Sequence, residues 1–123
     1  MKQLIWIGSS LKDLKKFPIS IHHAMGYALY QAQIGQKHEH AKPFKGMGSA
    51  KIMEIRENAK SGTYRTIYTL EIRNFVFVLH AFQKKSKSGI ATPKKEIELI
   101  KSRQQEAKIL YKSLLEEKNE NKK

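Results

Sequence analysis

His80, Phe82 and Lys84 stand at alternate positions near the end of an apolar run, FVFVLHAFQK, that begins at Phe75. In an extended strand, alternate side chains share a face. A neutral imidazole can take or give a proton near pH 7. An aromatic ring can stack on a splayed base, and a lysine can stabilise charge building on a phosphorus centre. The competing reading makes His80 a hydrogen-bonded core histidine and Phe82 plain core. Lys85 and Lys87 extend the positive cluster, and from Ile72 to Lys95 no Asp or Glu offsets it. That concentration of cations suits holding, and cutting, a polyanion, with phosphate the obvious candidate.

Arg56 and Arg65 add a second pair of groups. Each is opposite in parity to the clearest apolar set of its own strand: Met53 and Ile55 in one, Tyr64, Thr66, Tyr68 and Leu70 in the other. The two arginines and His80 are therefore expected to lie exposed on one sheet face. Guanidinium forks pair with phosphate oxygens in bidentate fashion. The plainer reading is two solvated cations, one of them paired with Glu54 or Glu57. His38-Glu39-His40 has the donor types for a metal, but it lies in a loop with no cysteine, and no other cluster in the sequence completes it. His22-His23 is weaker still. No metal and no cofactor are expected. Gly46-Met47-Gly48 lacks the strand-to-helix setting and the Lys-Ser/Thr pair of a phosphate loop, and no paired carboxylates are placed for acid–base work.

The elements that must position these groups can be read from periodicity. Leu4 to Ile7 reads as a first strand. Ser9 or Ser10 can cap a short basic helix through Leu11, Leu14 and Phe17, which Pro18 ends. Ile21, Met25, Ala28, Leu29 and Ala32 recur at helical steps, with Gly35 as C-cap. A loop from Gln36 to Ser49 follows, long for a small domain. Lys51 to Asn58 and Thr63 to Leu70 alternate as strands and form a hairpin about Asn58–Gly62. Phe75 to Phe82 is apolar on both faces, the mark of a buried central strand. Thr92 as N-cap and Pro93 open a last helix with Ile97, Ile100, Gln104, Ala107, Tyr111 and Leu114 on one stripe. The order predicts an α+β fold: a small antiparallel sheet, helices packed on one face, and a long C-terminal helix.

Composition sets the outer bounds. The chain has 123 residues, with 24 Lys+Arg against 11 Asp+Glu, a formal charge of +13. That length fits one domain, expected over residues 1–117 with a frayed charged tail at 118–123. So large a positive charge draws nucleic acid, acidic surfaces or an acidic partner. The absence of cysteine excludes disulfides, thiol nucleophiles and cysteine zinc sites. No apolar run approaches the roughly 18 residues of a membrane span. The four-residue apolar run near the N-terminus is too short for a signal peptide. A cytoplasmic location is expected.

The chain resembles the RelE/ParE superfamily of toxins from type II toxin–antitoxin systems, in its HigB-like, phage-related Gp49-like branch. The resemblance runs from the second helix to the last. Its specific parts are Lys42-Pro43-Phe44-Lys45-Gly46-Met47-Gly48, Ile52 to Asn58 (IMEIREN), Ser61-Gly62-Thr63-Tyr64-Arg65, and His80 to Pro93 (HAFQKKSKSGIATP). It implies a RelE-like sheet with helices on one face. It also implies metal-independent mRNA cleavage on the ribosome, in which the 2′-hydroxyl attacks the adjacent phosphate, leaving a cyclic phosphate and a 5′-hydroxyl. The partners implied are the ribosome, mRNA and a cognate antitoxin, commonly a helix-turn-helix protein, in a hetero-oligomer.

By the same resemblance, Arg65 of the Tyr64-Arg65 pair binds the scissile phosphate, and Lys84 and Lys85 are the basic positions after the last strand. The catalytic set is then Arg65, Lys84, Arg56 and His80, and the RNA-binding set Lys45, Phe82, Lys85, Lys87 and Lys94. Some relatives carry a catalytic Tyr or His near the C-terminus. Here Tyr111 lies on the apolar stripe and reads as core, so the general acid stays open. The alternatives are a ParE-like inhibitor that binds DNA gyrase without chemistry, and a simple RNA-binding module.

Overall fold

The computed structural model describes residues 1–84 and 92–120, with side chains through 118. Its elements run β1 (Gln3–Trp6), α1 (Ser10–Lys15), α2 (Ile19–Gln33), β2 (Ala41–Pro43), β3 (Ile52–Ala59), β4 (Gly62–Thr69), β5 (Phe75–Lys84) and α3 (Lys94–Glu120). The five strands form one sheet in the order β1-β5-β4-β3-β2. β1 runs parallel to β5, and the other pairs are antiparallel. The order and class agree with the α+β expectation. β2, inside the stretch expected as a loop, is a three-residue edge strand, too short to show a period. α3 continues to Glu120, into the stretch expected as a frayed tail. Among the described residues no helix is long and apolar enough to cross a membrane.

Local chemistry sets the boundaries. Pro18 caps α2 with an extended ψ of 147°, and Ile21, Met25, Ala28, Leu29 and Ala32 form its buried stripe. At the other end Gly35 takes φ +84°, and the Gly35 and Gln36 amides bond back to the Ala32 and Gln31 carbonyls at 3.1 and 2.8 Å. The β3–β4 hairpin closes between Ala59 and Gly62. Gly62 has φ +136°, and a Cβ there would lie 2.9 Å from the Lys84 carbonyl, so this turn needs glycine.

The helices divide between the two faces of the sheet, which corrects the one-face expectation. Leu14 and Phe17 with the α2 stripe pack on Met53, Ile55, Tyr64, Tyr68, Val76 and Val78. On the opposite face Ile100 and Ala107 of α3 pack with Ile52, Ile67, Phe77 and Leu79. The reason lies in β5, which is apolar on both sides. Leaving either side wet would forgo about 25 cal/mol for each Å² of apolar surface.

A β-bulge decides where the chemistry goes. Ile67 pairs with His80 but Tyr68 pairs with Val78, so Leu79 is the extra residue. Val76 and Val78 face α2, and strict alternation would send His80 after them. The bulge instead turns His80 and Phe82 to the α3 side, in company with Phe77 and Leu79.

Candidate active site

Arg56 of β3 and Arg65 of β4 are direct cross-strand partners, and Phe82 lies opposite Arg65 on β5. All point to the α3 face. Two like charges opposite one another repel, and the structure resolves this with Glu54. Its buried carboxylate accepts from Arg56 Nη2 at 2.9 Å and from Arg65 Nη1 at 3.4 Å. Arg65 Nη1 also donates to Thr92 Oγ1 at 2.9 Å. The Nε atoms of both arginines are buried and have no hydrogen-bond partner among the described residues. Both side chains line a cleft of about 290 Å³, together with Lys42, Lys45, Glu54 and Thr92. Two guanidinium groups against one carboxylate leave an excess of positive charge, and the two lysines add to it.

The electrostatics agree with that excess. Burial lowers the Arg65 pKa, with Glu54 opposing the shift and Arg56 adding to it. Lys84 lies on the same face, opposite Thr63. Its pKa is also lowered, first by loss of solvent and then by the charges of Arg65 and Arg56, with Glu54 opposing. Lys84 therefore belongs to the same charge cluster and gives up its proton more readily than an ordinary lysine.

Arg56, Arg65 and His80 are found on one face as expected, but only Arg56 is partly exposed there. Arg65 is 4% and His80 6% accessible, because α3 covers them. The His80 ring stacks on Phe82, centroids 4.7 Å apart and planes 17° apart. Its Nε2 meets the Glu96 carboxylate, and its Nδ1 lies 3.3 Å from Arg103 Nη1. Both ring nitrogens thus have protein partners, and one face of Phe82 is already taken. Lys45 is exposed at the cleft rim and Lys94 is exposed at the start of α3. Lys85 and Lys87 lie outside the described residues.

Tyr64 points the other way from Arg65 and packs on Phe17 at 4.9 Å. Tyr111 packs on Phe75 at 5.6 Å, at the opposite end of β5 from Lys84. The His38-Glu39-His40 stretch precedes β2, and there Glu57 of β3 joins the two histidines.

Four residues were missing from the expected site. In the sequence Glu54 reads only as a surface partner and Thr92 as a helix cap, and Glu96 and Arg103 carry no assignment. Arg103 is 9% accessible and donates to the Leu79 carbonyl at 3.0 Å and to Ser9 Oγ at 2.9 Å. Ser9 in turn donates to Asp13 at 2.7 Å. Gly8, at φ +55°, leaves space for the guanidinium, since a Cβ there would sit 2.8 Å from Arg103 Nε. The signal for Arg103 was in the sequence: it falls three residues after Ile100 and four before Ala107, on the apolar stripe.

Comparison with known proteins relates the chain to a family and to a solved structure. The family model described as phage-derived protein Gp49-like matches residues 12–105. The crystal structure of the isolated E. coli RelE toxin superposes with a TM-score of 0.51 at 19% identity, covering 72% of this chain and 89% of that one. That likeness is one of fold. No curated protein matches significantly.

Proposed function

Since the chain belongs to the phage-derived Gp49-like family, a RelE/HigB-like family of toxin–antitoxin toxins, we propose that it is an mRNA endoribonuclease acting on the translating ribosome. The observation that carries this reading is that Arg56 and Arg65, direct cross-strand partners, line one cleft with Lys42 and Lys45 against a single carboxylate, Glu54. A phosphodiester placed there would accept from both forks, which suits charge building on its non-bridging oxygens. The 2′-hydroxyl then attacks phosphorus as the bond from phosphorus to the 5′-oxygen breaks. The products are a 2′,3′-cyclic phosphate and a 5′-hydroxyl, with the 2′-oxygen's proton passing to solvent water and a proton arriving at the 5′-oxygen. We assign the arriving proton to Lys84, whose lowered pKa suits it to donate. His80 acts as a positioning residue, tying β5 to α3 behind the cleft.

This assignment fixes a pH dependence. Lys84 must be protonated to donate, so cleavage falls on the alkaline side at a pH below 10.5, the ordinary lysine value. Lys84→Ala loses that limb along with most of the rate. The pH–rate profiles of wild type and variant check this, and an alkaline limb that is unchanged in Lys84→Ala removes the lysine from the proton step.

The charge of +13 predicts a steep salt response. Each phosphate neutralised on a single strand releases condensed counterions, so log affinity falls with log salt by about 0.7 per contact. RNA binding measured between low and physiological salt gives the slope. A flat response means that the charge does not serve RNA binding.

Family membership implies a cognate antitoxin. We propose a helix-turn-helix protein whose acidic surface covers the Lys42–Arg56–Arg65 cleft. Opposite charge speeds such capture.

A further inference from the structure

Glu57 lies next to Arg56 on β3 and points to the opposite sheet face, away from the cleft. There it meets two histidines from the segment before β2. Donor atoms of His38, His40 and Glu57 all lie within 4.8 Å of one another. His40 Nδ1 is 2.6 Å from Glu57 Oε1. The His38 and His40 rings are 5.1 Å apart, and Tyr27 of α2 packs edge-on to His38 at 5.9 Å.

The backbone holds these side chains in place. The Arg56 amide donates to the His40 carbonyl at 3.2 Å, and the Ala41 amide to the His38 carbonyl at 3.0 Å. The His40 amide donates to His38 Nδ1 at 3.0 Å, which orients the ring and marks Nδ1 as its lone-pair nitrogen, so a metal takes that nitrogen in place of the amide. The cluster is half open: the His40 side chain is 49% accessible and that of Glu57 13%. A cation can therefore reach it without unfolding the edge of the sheet.

We propose that His38, His40 and Glu57 form a binding site for a divalent transition-metal ion, zinc by its donor set, which clasps the β2 edge of the sheet to β3. Two imidazoles and a carboxylate are a borderline-soft set that zinc takes with a fourth position left to water. Two ligands of tetrahedral zinc, each about 2.0–2.1 Å from the metal, sit about 3.3 Å apart. His40 and Glu57 need to separate only slightly for the metal to replace the proton between them. The metal joins residues 38 and 40 to residue 57 and so fixes the base of β2, which carries Lys42 to the cleft and leads on to Lys45. This site is separate from the cleft and independent of the reaction proposed there.

The test is thermal melting of the full chain in EDTA and in graded zinc, with magnesium as control. Binding to the folded state alone raises Tm by roughly 10 °C once zinc exceeds Kd a hundredfold. The His38→Ala/His40→Ala variant loses this rise, and the His22→Ala/His23→Ala variant keeps it. Cobalt in place of zinc gives the visible absorption of a tetrahedral site in wild type only. The proposal fails if zinc leaves Tm unchanged, if the rise survives the His38→Ala/His40→Ala change, or if it disappears with His22 and His23.

Discussion

Arg65→Ala lowers transcript cleavage by about 10²–10³-fold, the usual effect of losing one donor to a charge that grows in the transition state. Arg65→Lys restores only part, because a point charge cannot reproduce the bidentate fork. The structure adds a stability cost that an exposed strand arginine would not carry. Arg65 is buried and shares Glu54 with Arg56. Removing one partner of a buried pair typically costs about 3–5 kcal/mol. Arg56 still compensates Glu54, so about 2–3 kcal/mol is expected, a fall in Tm of roughly 10 °C. Arg65→Lys keeps the charge beside Glu54 and melts close to wild type. That variant separates the two effects: near-normal melting with cleavage well below wild type places Arg65 at the phosphate. Near-normal melting with full cleavage makes it structural.

Arg103→Ala is expected to be the most destabilising single change behind the cleft. It strips a donor from the Leu79 carbonyl at the bulge and from Ser9, and it removes the cation beside His80 Nδ1. Leaving such buried groups unpaired costs about 3 kcal/mol or more, again roughly 10 °C in Tm. Because Arg103 ties α3 to β5, its loss also loosens the Thr92 hydroxyl that holds Arg65, so cleavage falls with it. Arg103→Met, which keeps the packing volume, melts between the two. Calorimetry of the three proteins checks this order. An Arg103→Ala protein that melts like wild type shows that the network does not hold α3.

Much of the fold was legible because its signals are local. Pro18, Gly35, Gly62 and Pro93 mark ends, and the apolar steps of α2 and α3 are regular. Strand parity placed Arg56 and Arg65 together, since both precede any irregularity. His80 reached the same face by a different route. Its even number places it with Val76 and Val78, and only the bulge at Leu79 turns it toward α3; nothing in FVFVLHAF announces a bulge. The two-sided apolar pattern of β5 did announce that both faces are covered, and it was at odds with helices on one side. Burial of Arg65 and His80 follows from that covering.

Glu54 was hard to assign because a carboxylate beside Arg56 in a strand looks like a surface pair. Its role depends on the cross-strand register, which no single strand displays. The histidine cluster was incomplete in the sequence for the same reason. Glu57 is seventeen positions from His40 and meets it only through the packing of the β2 edge on β3.

The central claim is that the Arg56–Arg65 cleft holds a scissile phosphate of mRNA. The most direct measurement adds the purified protein to translating ribosomes and maps both ends created in the transcript, for wild type and Arg65→Lys. The expected result is discrete cuts within the translated region, with 2′,3′-cyclic phosphate and 5′-hydroxyl ends, strongly reduced in the variant. Intact transcripts together with broken or relaxed DNA would contradict it and point to a gyrase inhibitor instead.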